Sequence, residues 1–169
     1  MARTEIERIV PPSLFDRLTD DAPKIGADRS TTREESERAY RASVERDVEA
    51  LLNTRRTIVT APEEFTQLAN SVYEYGLIDT TGITMGTKAG RDRILGALRD
   101  AIERHEPRLT ETRIRLVDED QTSAPQVRFV VEAILLMDRQ RERVVFDTVL
   151  EVASGEYDVH GSDTPSVGT

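Results

Sequence analysis

The side chains most able to do chemistry in this chain are Glu106 and Arg108, held two residues apart around Pro107. Ile94, Leu95, Leu98, Ala101, Ile102 and His105 precede them at helical spacing and form one apolar face. Pro107 must end that helix, because it lacks an amide hydrogen and disfavours the α region for Glu106. Residues two apart in extended chain point to the same side. A carboxylate and a guanidinium are therefore presented together at a rigid elbow, where they either clamp a partner or bind each other. A surface pair of this kind is worth about 0–1 kcal/mol.

A second use of carboxylates is glycoside hydrolysis, which needs two of them at a set separation, one kept protonated by an apolar pocket. Glu103, Glu106, Asp79 and the Glu63-Glu64 pair are the candidates. Glu63 and Glu64 suit the first turn of a helix, and Glu103 lies beside Arg99 and Arg104 on a solvated face. The chain has no tryptophan and few aromatic residues to floor a sugar site. No nucleophilic triad is visible, and neither His105 nor His160 has a recognisable catalytic context. With no cysteine and two distant histidines, neither disulfides nor a zinc site can form. The reading is of a protein that is not an enzyme and carries no cofactor or metal.

The elements that must position the elbow follow from periodicity. Pro11, Pro12, Pro23 and Gly26 punctuate an N-terminal arm over residues 1–29, in which Leu14, Phe15 and Leu18 make one apolar turn. A helix starts at Thr31 or Thr32, each with glutamate three residues on, and carries Tyr40, Val44, Val48, Leu51 and Leu52 as its stripe. A second helix is expected after Thr60-Ala61-Pro62-Glu63, with Phe65, Leu68, Ala69, Val72 and Tyr75 on one face and Gly76 as its stop. Leu77 to Lys88 reads as a loop without a phosphate-binding glycine pattern. Beyond the elbow the period becomes two, through Ile114 and Leu116, Val127 to Leu135, Val144 to Val152, and Tyr157 to His160. Asp138 to Arg143 reads as a charged hairpin loop, and residues 161–169 as a disordered tail. The result is an α+β two-layer domain over residues 30–160, about three helices on a mostly antiparallel sheet of about four strands. Its last strands include an edge, which is a template for strand addition.

The net charge of −9 disfavours nucleic acid as a partner. Only Lys24 and Lys88 are lysines, so the basic side chains are nearly all arginine. That bias suits protein interfaces and equally suits a GC-rich genome or a salt-adapted host. No apolar run is long enough to span a membrane and no apolar signal region is present, which places the chain in the cytoplasm.

Five segments occur in a particular order. They are Pro12-Ser13-Leu14-Phe15-Asp16-Arg17-Leu18, Leu51-Leu52-Asn53-Thr54-Arg55-Arg56, Ser71 to Asp79, Glu106-Pro107-Arg108, and Val144 to Tyr157. In that order and spacing the chain resembles the TssE family, the small baseplate wedge subunits of type VI secretion systems. That family is similar in turn to a phage baseplate wedge family that carries a lysozyme-like label. The resemblance spans about Pro12 to Val159, with Ile78 where the family would have proline. It implies a structural part that binds TssF and TssG through their core bundle, lies near TssK, and primes the first TssB–TssC sheath ring, with no small-molecule substrate. It also implies that Glu106, Pro107 and Arg108 face the core bundle, and that Asn53, Arg55 and Arg56 form a helix-end motif that either meets partners or caps the fold. The alternative is the equivalent wedge part of a phage tail or extracellular contractile injection system, and more remotely a lysozyme-type glycoside hydrolase.

Overall fold

Thr32 opens the longest helix. Its hydroxyl accepts from the Glu35 amide at 3.2 Å while the Glu35 carboxylate accepts from the Thr32 amide at 2.8 Å, a reciprocal capping box. In the computed structural model, residues 10–19, 32–59, 62, 64–68, 71–80, 82–117, 126–138 and 140–162 are described. Three α-helices are found among them, α1 (Leu14–Leu18), α2 (Arg33–Asn53) and α3 (Lys88–His105). Four strands follow, β1 (Leu109–Leu116), β2 (Gln126–Met137), β3 (Gln140–Glu151) and β4 (Glu156–Ser162), paired in the order β1-β2-β3-β4 and antiparallel throughout.

Alternation along the strands sends one set of side chains to the helices. Val127, Phe129, Val131 and Leu135 of β2, Phe146 and Leu150 of β3 and Tyr157 and Val159 of β4 share a buried cluster with Val44, Val48 and Leu51 of α2 and Ile94, Leu98 and Ile102 of α3. Each of these side chains contributes about 1.5–3 kcal/mol by leaving water. The opposite sheet face carries mostly charged residues. There Val130 and Val145 are buried, and Glu132 accepts from both Arg115 and Arg143.

Three expectations change. The helix expected after Pro62 does not form: the described residues make turns and short 3-10 structure, at Leu68 and over Val72–Glu74, the latter capped by Ser71. Phe65 and Val72 of its supposed face are exposed, and Ala69 lies outside the described residues. Tertiary contacts override the local pattern here. The buried residue is Glu74, which Arg56 holds at 3.2 Å, and Leu77 bonds the main chain at Thr54 and Arg56. Gly76 makes that approach possible, because at its φ of 106° a Cβ would stand 2.3 Å from the Thr54 carbonyl oxygen. The charged hairpin loop shrinks to two residues, since Met137 pairs directly with Gln140 and Asp138 takes a φ of 42°. β4 also continues through Ser162, two residues into the expected tail, while residues 163–169 lie outside the described residues.

Candidate functional site

The elbow is built by the end of α3. Glu106 is the C-cap, and its amide donates to the Ile102 carbonyl at 2.8 Å. Pro107 prevents a further helical turn, and the chain swings directly into β1. The Glu106 carboxylate, 4% exposed, turns inward and takes three hydrogen bonds from Arg108, one from its main-chain amide at 3.3 Å, one from Nε at 2.6 Å and one from Nη2. The guanidinium does not stop there. Its Nη2 also donates to Asp47 Oδ2 at 2.7 Å and its Nη1 to Ser43 Oγ at 3.4 Å, both on α2, and it lies over the Tyr40 ring. Glu106 first, and then Asp47, hold the Arg108 charge well above its ordinary range against the opposing effect of burial. Of the two roles open to the elbow, the pair binds itself and ties α2 to the α3–β1 junction. Pro107 stays exposed and Arg108 half-buried.

Around this clasp lies a cleft of about 510 Å³, lined by Pro107, Arg108, Tyr40 and Tyr75 and by Pro12 and Phe15 of the arm. The arm is moored to α2. The buried Val10 donates its amide to Ser36 at 3.1 Å, Asp16 pairs with Arg46 at 2.8 Å, and Arg46 covers the Phe15 ring. The apolar turn of Leu14, Phe15 and Leu18 is α1, and those three side chains are 63–78% exposed beside the cleft.

The helix-end motif is divided in its use. The Asn53 amide binds both main-chain groups of Tyr157 on β4, accepting from its N–H and donating to its carbonyl, each at 2.8 Å. Arg56 is engaged with Glu74, whose carbonyl contacts His105 Nε2 at 3.0 Å. His105 thus packs at the end of its helix, edge-on to Tyr75. Arg55 is exposed, on the rim of a separate cleft of about 740 Å³ between the end of α2 and the β3–β4 turn. The two motifs therefore line different clefts, with Glu74 and His105 spanning the space between them.

The profile of the family described as "Baseplate wedge protein gp25" matches residues 38–140. The chain belongs to this baseplate wedge family. A search of curated proteins found no match. The family match takes in α2 from Arg38 onward, α3, the elbow, β1 and β2, so it contains both motifs and Asp47. Among the described residues, the wedge protein's candidate hydrolytic carboxylates stand in different settings. Glu106 is committed to Arg108, Glu103 and Glu64 stand exposed, Asp79 is exposed on the rim of the other cleft, and Glu63 is outside the described residues. Among the described residues no group of three His, Asp or Glu side chains is placed to hold a metal, and no helix is long and apolar enough to cross a membrane.

Asp47, Ser43 and Glu74 do much of the positioning and were not singled out from the sequence. Ser43 had a visible signal, a small polar residue beside Val44 in an apolar stripe. Asp47 and Glu74 carry none, because each is defined by a partner about 18–61 residues away.

Proposed function

We propose that this chain is the small wedge subunit of a type VI secretion baseplate, a structural component without catalytic activity that works in the cytoplasm. The observation that carries the reading is membership of the baseplate wedge family over residues 38–140, together with the order of the five segments described above. In this reading the elbow surface meets the helical core bundle formed by TssF and TssG. Pro107 and the outer side of Arg108 make the contact, and Glu106 fixes their geometry from beneath. The exposed apolar side of α1 next to the same cleft extends that surface in a way suited to a helical partner. Arg55, exposed, is the member of the helix-end motif offered to a partner, while the side chains of Asn53 and Arg56 are taken up by Tyr157 and Glu74. TssK lies nearby, and the first TssB–TssC ring grows from the assembled wedge.

Co-expression with TssF and TssG from the same bacterium tests this. The expected result is a complex that survives size-exclusion chromatography and is weakened by Leu14→Asp/Leu18→Asp and by Arg55→Glu. Folded protein that never co-elutes with TssF–TssG, but does so with the wedge proteins of a phage tail or an extracellular injection system, overturns the type VI assignment within the same family.

A further inference from the structure

Asp47 is shared by two cations. Its Oδ2 accepts from Arg108 Nη2 at 2.7 Å, and its Oδ1 from Arg46 Nη2 at 3.3 Å. Arg46 is shared in turn. The same Nη2 lies 2.8 Å from Asp16 Oδ1 on the arm, and the guanidinium stands 5.3 Å from the centre of the Phe15 ring. The other Asp16 oxygen accepts from the Ser13 hydroxyl at 2.6 Å. Charges of alternating sign therefore run from the buried Glu106 through Arg108, Asp47 and Arg46 to Asp16. In such a chain, what one neighbour takes from an ion is lost to the other.

The helix α2 supplies the frame. Ser36, Tyr40, Ser43 and Asp47 recur at helical spacing along one stripe. Ser36 accepts from the Val10 amide, and the other three meet Arg108. Arg46 stands beside that stripe, because adjacent residues of a helix do not share a face. Its long side chain reaches Asp16 on one side and Asp47 on the other. The shorter contact goes to Asp16, and Arg108 accounts for it by engaging Asp47 closely. Among the described residues Arg46 is the arm's one ionic mooring. Apolar burial adds little beyond Val10, since Leu14, Phe15 and Leu18 are exposed.

We propose that Asp47 is a relay between the elbow and the arm. A partner's Asp or Glu brought to the open side of Arg108 draws the guanidinium off Asp47, Asp47 then captures Arg46, and Asp16 and α1 are released. Release opens the wall of the elbow cleft that Pro12 and Phe15 form, and frees Leu14, Phe15 and Leu18 to turn onto the partner. The relay is a property of the chain alone, so its failure leaves the wedge assignment untouched.

Amide exchange on the full-length protein, followed by NMR without any partner, tests it. The readout is Val10, Arg17 and Thr19 of the arm, taken relative to Val44 and Val48 in the core of α2, so that a loss of global stability cancels. Arg108→Ala leaves Asp47 unclaimed and is expected to speed arm exchange about three- to fivefold relative to the core, the size of one exposed ion pair. Asp47→Ala alone is expected to leave the arm as protected as in the native chain. Arg108→Ala/Asp47→Ala is expected to return the arm to that level although the fold is weaker still, a rescue that lost packing does not produce. Should Arg108→Ala not fold, Arg108→Lys with and without Asp47→Asn carries the same comparison. An arm indifferent to the Arg108 change, one loosened further in the double variant, or one loosened by the Asp47 change alone overturns the proposal.

Discussion

The side-chain amide of Asn53 pairs with Tyr157 as a strand would, taking its N–H and giving to its carbonyl across 104 residues of chain. A residue from a helix end thereby stands in for the missing fifth strand. Asn53→Ala leaves both groups of Tyr157 without a partner and is expected to lower stability by about 1–3 kcal/mol. Tyr157 amide exchange should accelerate before that of its β3 neighbours. Exchange at the wild-type rate in this variant would show that the cap is dispensable.

The elbow network predicts a folding role for Arg108 as well as any role at an interface. Arg108→Ala strips Glu106 of its cation and leaves Asp47 without its bond to the α3–β1 junction. Discounted for the remaining exposure of Arg108, urea unfolding should show a loss of about 1–3 kcal/mol. Arg108→Lys keeps the charge but cannot reach Glu106, Asp47 and Ser43 at once, and should recover less than half of it. A variant as stable as wild type that still fails to co-purify with TssF–TssG would assign Arg108 to the partner alone.

Burial pushes the Tyr157 hydroxyl up to about 12, and burial also raises Tyr40 and Tyr75. A tyrosine whose folded value exceeds its unfolded value of about 10 stabilises the fold below pH 10 and loses that contribution as pH rises towards 12. The shift corresponds to about 2–3 kcal/mol. Stability measured from pH 9 to 12 should fall steadily in wild type and less steeply in Tyr157→Phe. Identical slopes would mean that the phenol ionises without cost.

Gly76→Ala places a methyl group against the Thr54 carbonyl at a φ that side chains rarely adopt. The bonds from Leu77 to Thr54 and Arg56 should break. Expected are a loss of about 2–4 kcal/mol in chemical unfolding and faster exchange at the Leu77 amide. A loss below about 0.5 kcal/mol would show that the bridge between Arg55 and Leu77 is not needed.

Parts of this architecture were legible because their causes are local. Thr32 and Glu35 announce the start of α2 within four residues, Pro107 ends α3 by its own geometry, and the strands declare themselves by alternation. The same locality misled between Pro62 and Tyr75. There an apolar pattern of helical spacing is overruled by Arg56 reaching Glu74 and by Leu77 pairing with the end of α2. The two-residue turn at Asp138 was hidden by the charged residues of two long strands, which look like loop when read without their partners. In the candidate site, Glu106 and Arg108 were visible as a pair, but Asp47, which turns the pair into a clasp, was not. The edge caps on β4, from Asn53 to Tyr157 and from Glu45 to the Gly161 amide, were invisible for the same reason, since nothing near either residue marks the strand it reaches.

The long reach between α2 and β4 has a consequence during synthesis. The sheet is a meander, so β1, β2 and β3 can zip together in the order in which they leave the ribosome. β4 comes last. At about 5–20 residues per second, Asn53 waits roughly 5–20 s for Tyr157 to be made. Through that interval the α2 stripe that will close the sheet has nothing to hold, and β3, complete only at Glu151, is an unprotected edge for the last ~0.3–1.2 s of it. Nascent chains held close together on one messenger could exchange β4 at this stage, so crowding on the polysome, more than instability of the finished fold, is where this protein is exposed to misassembly.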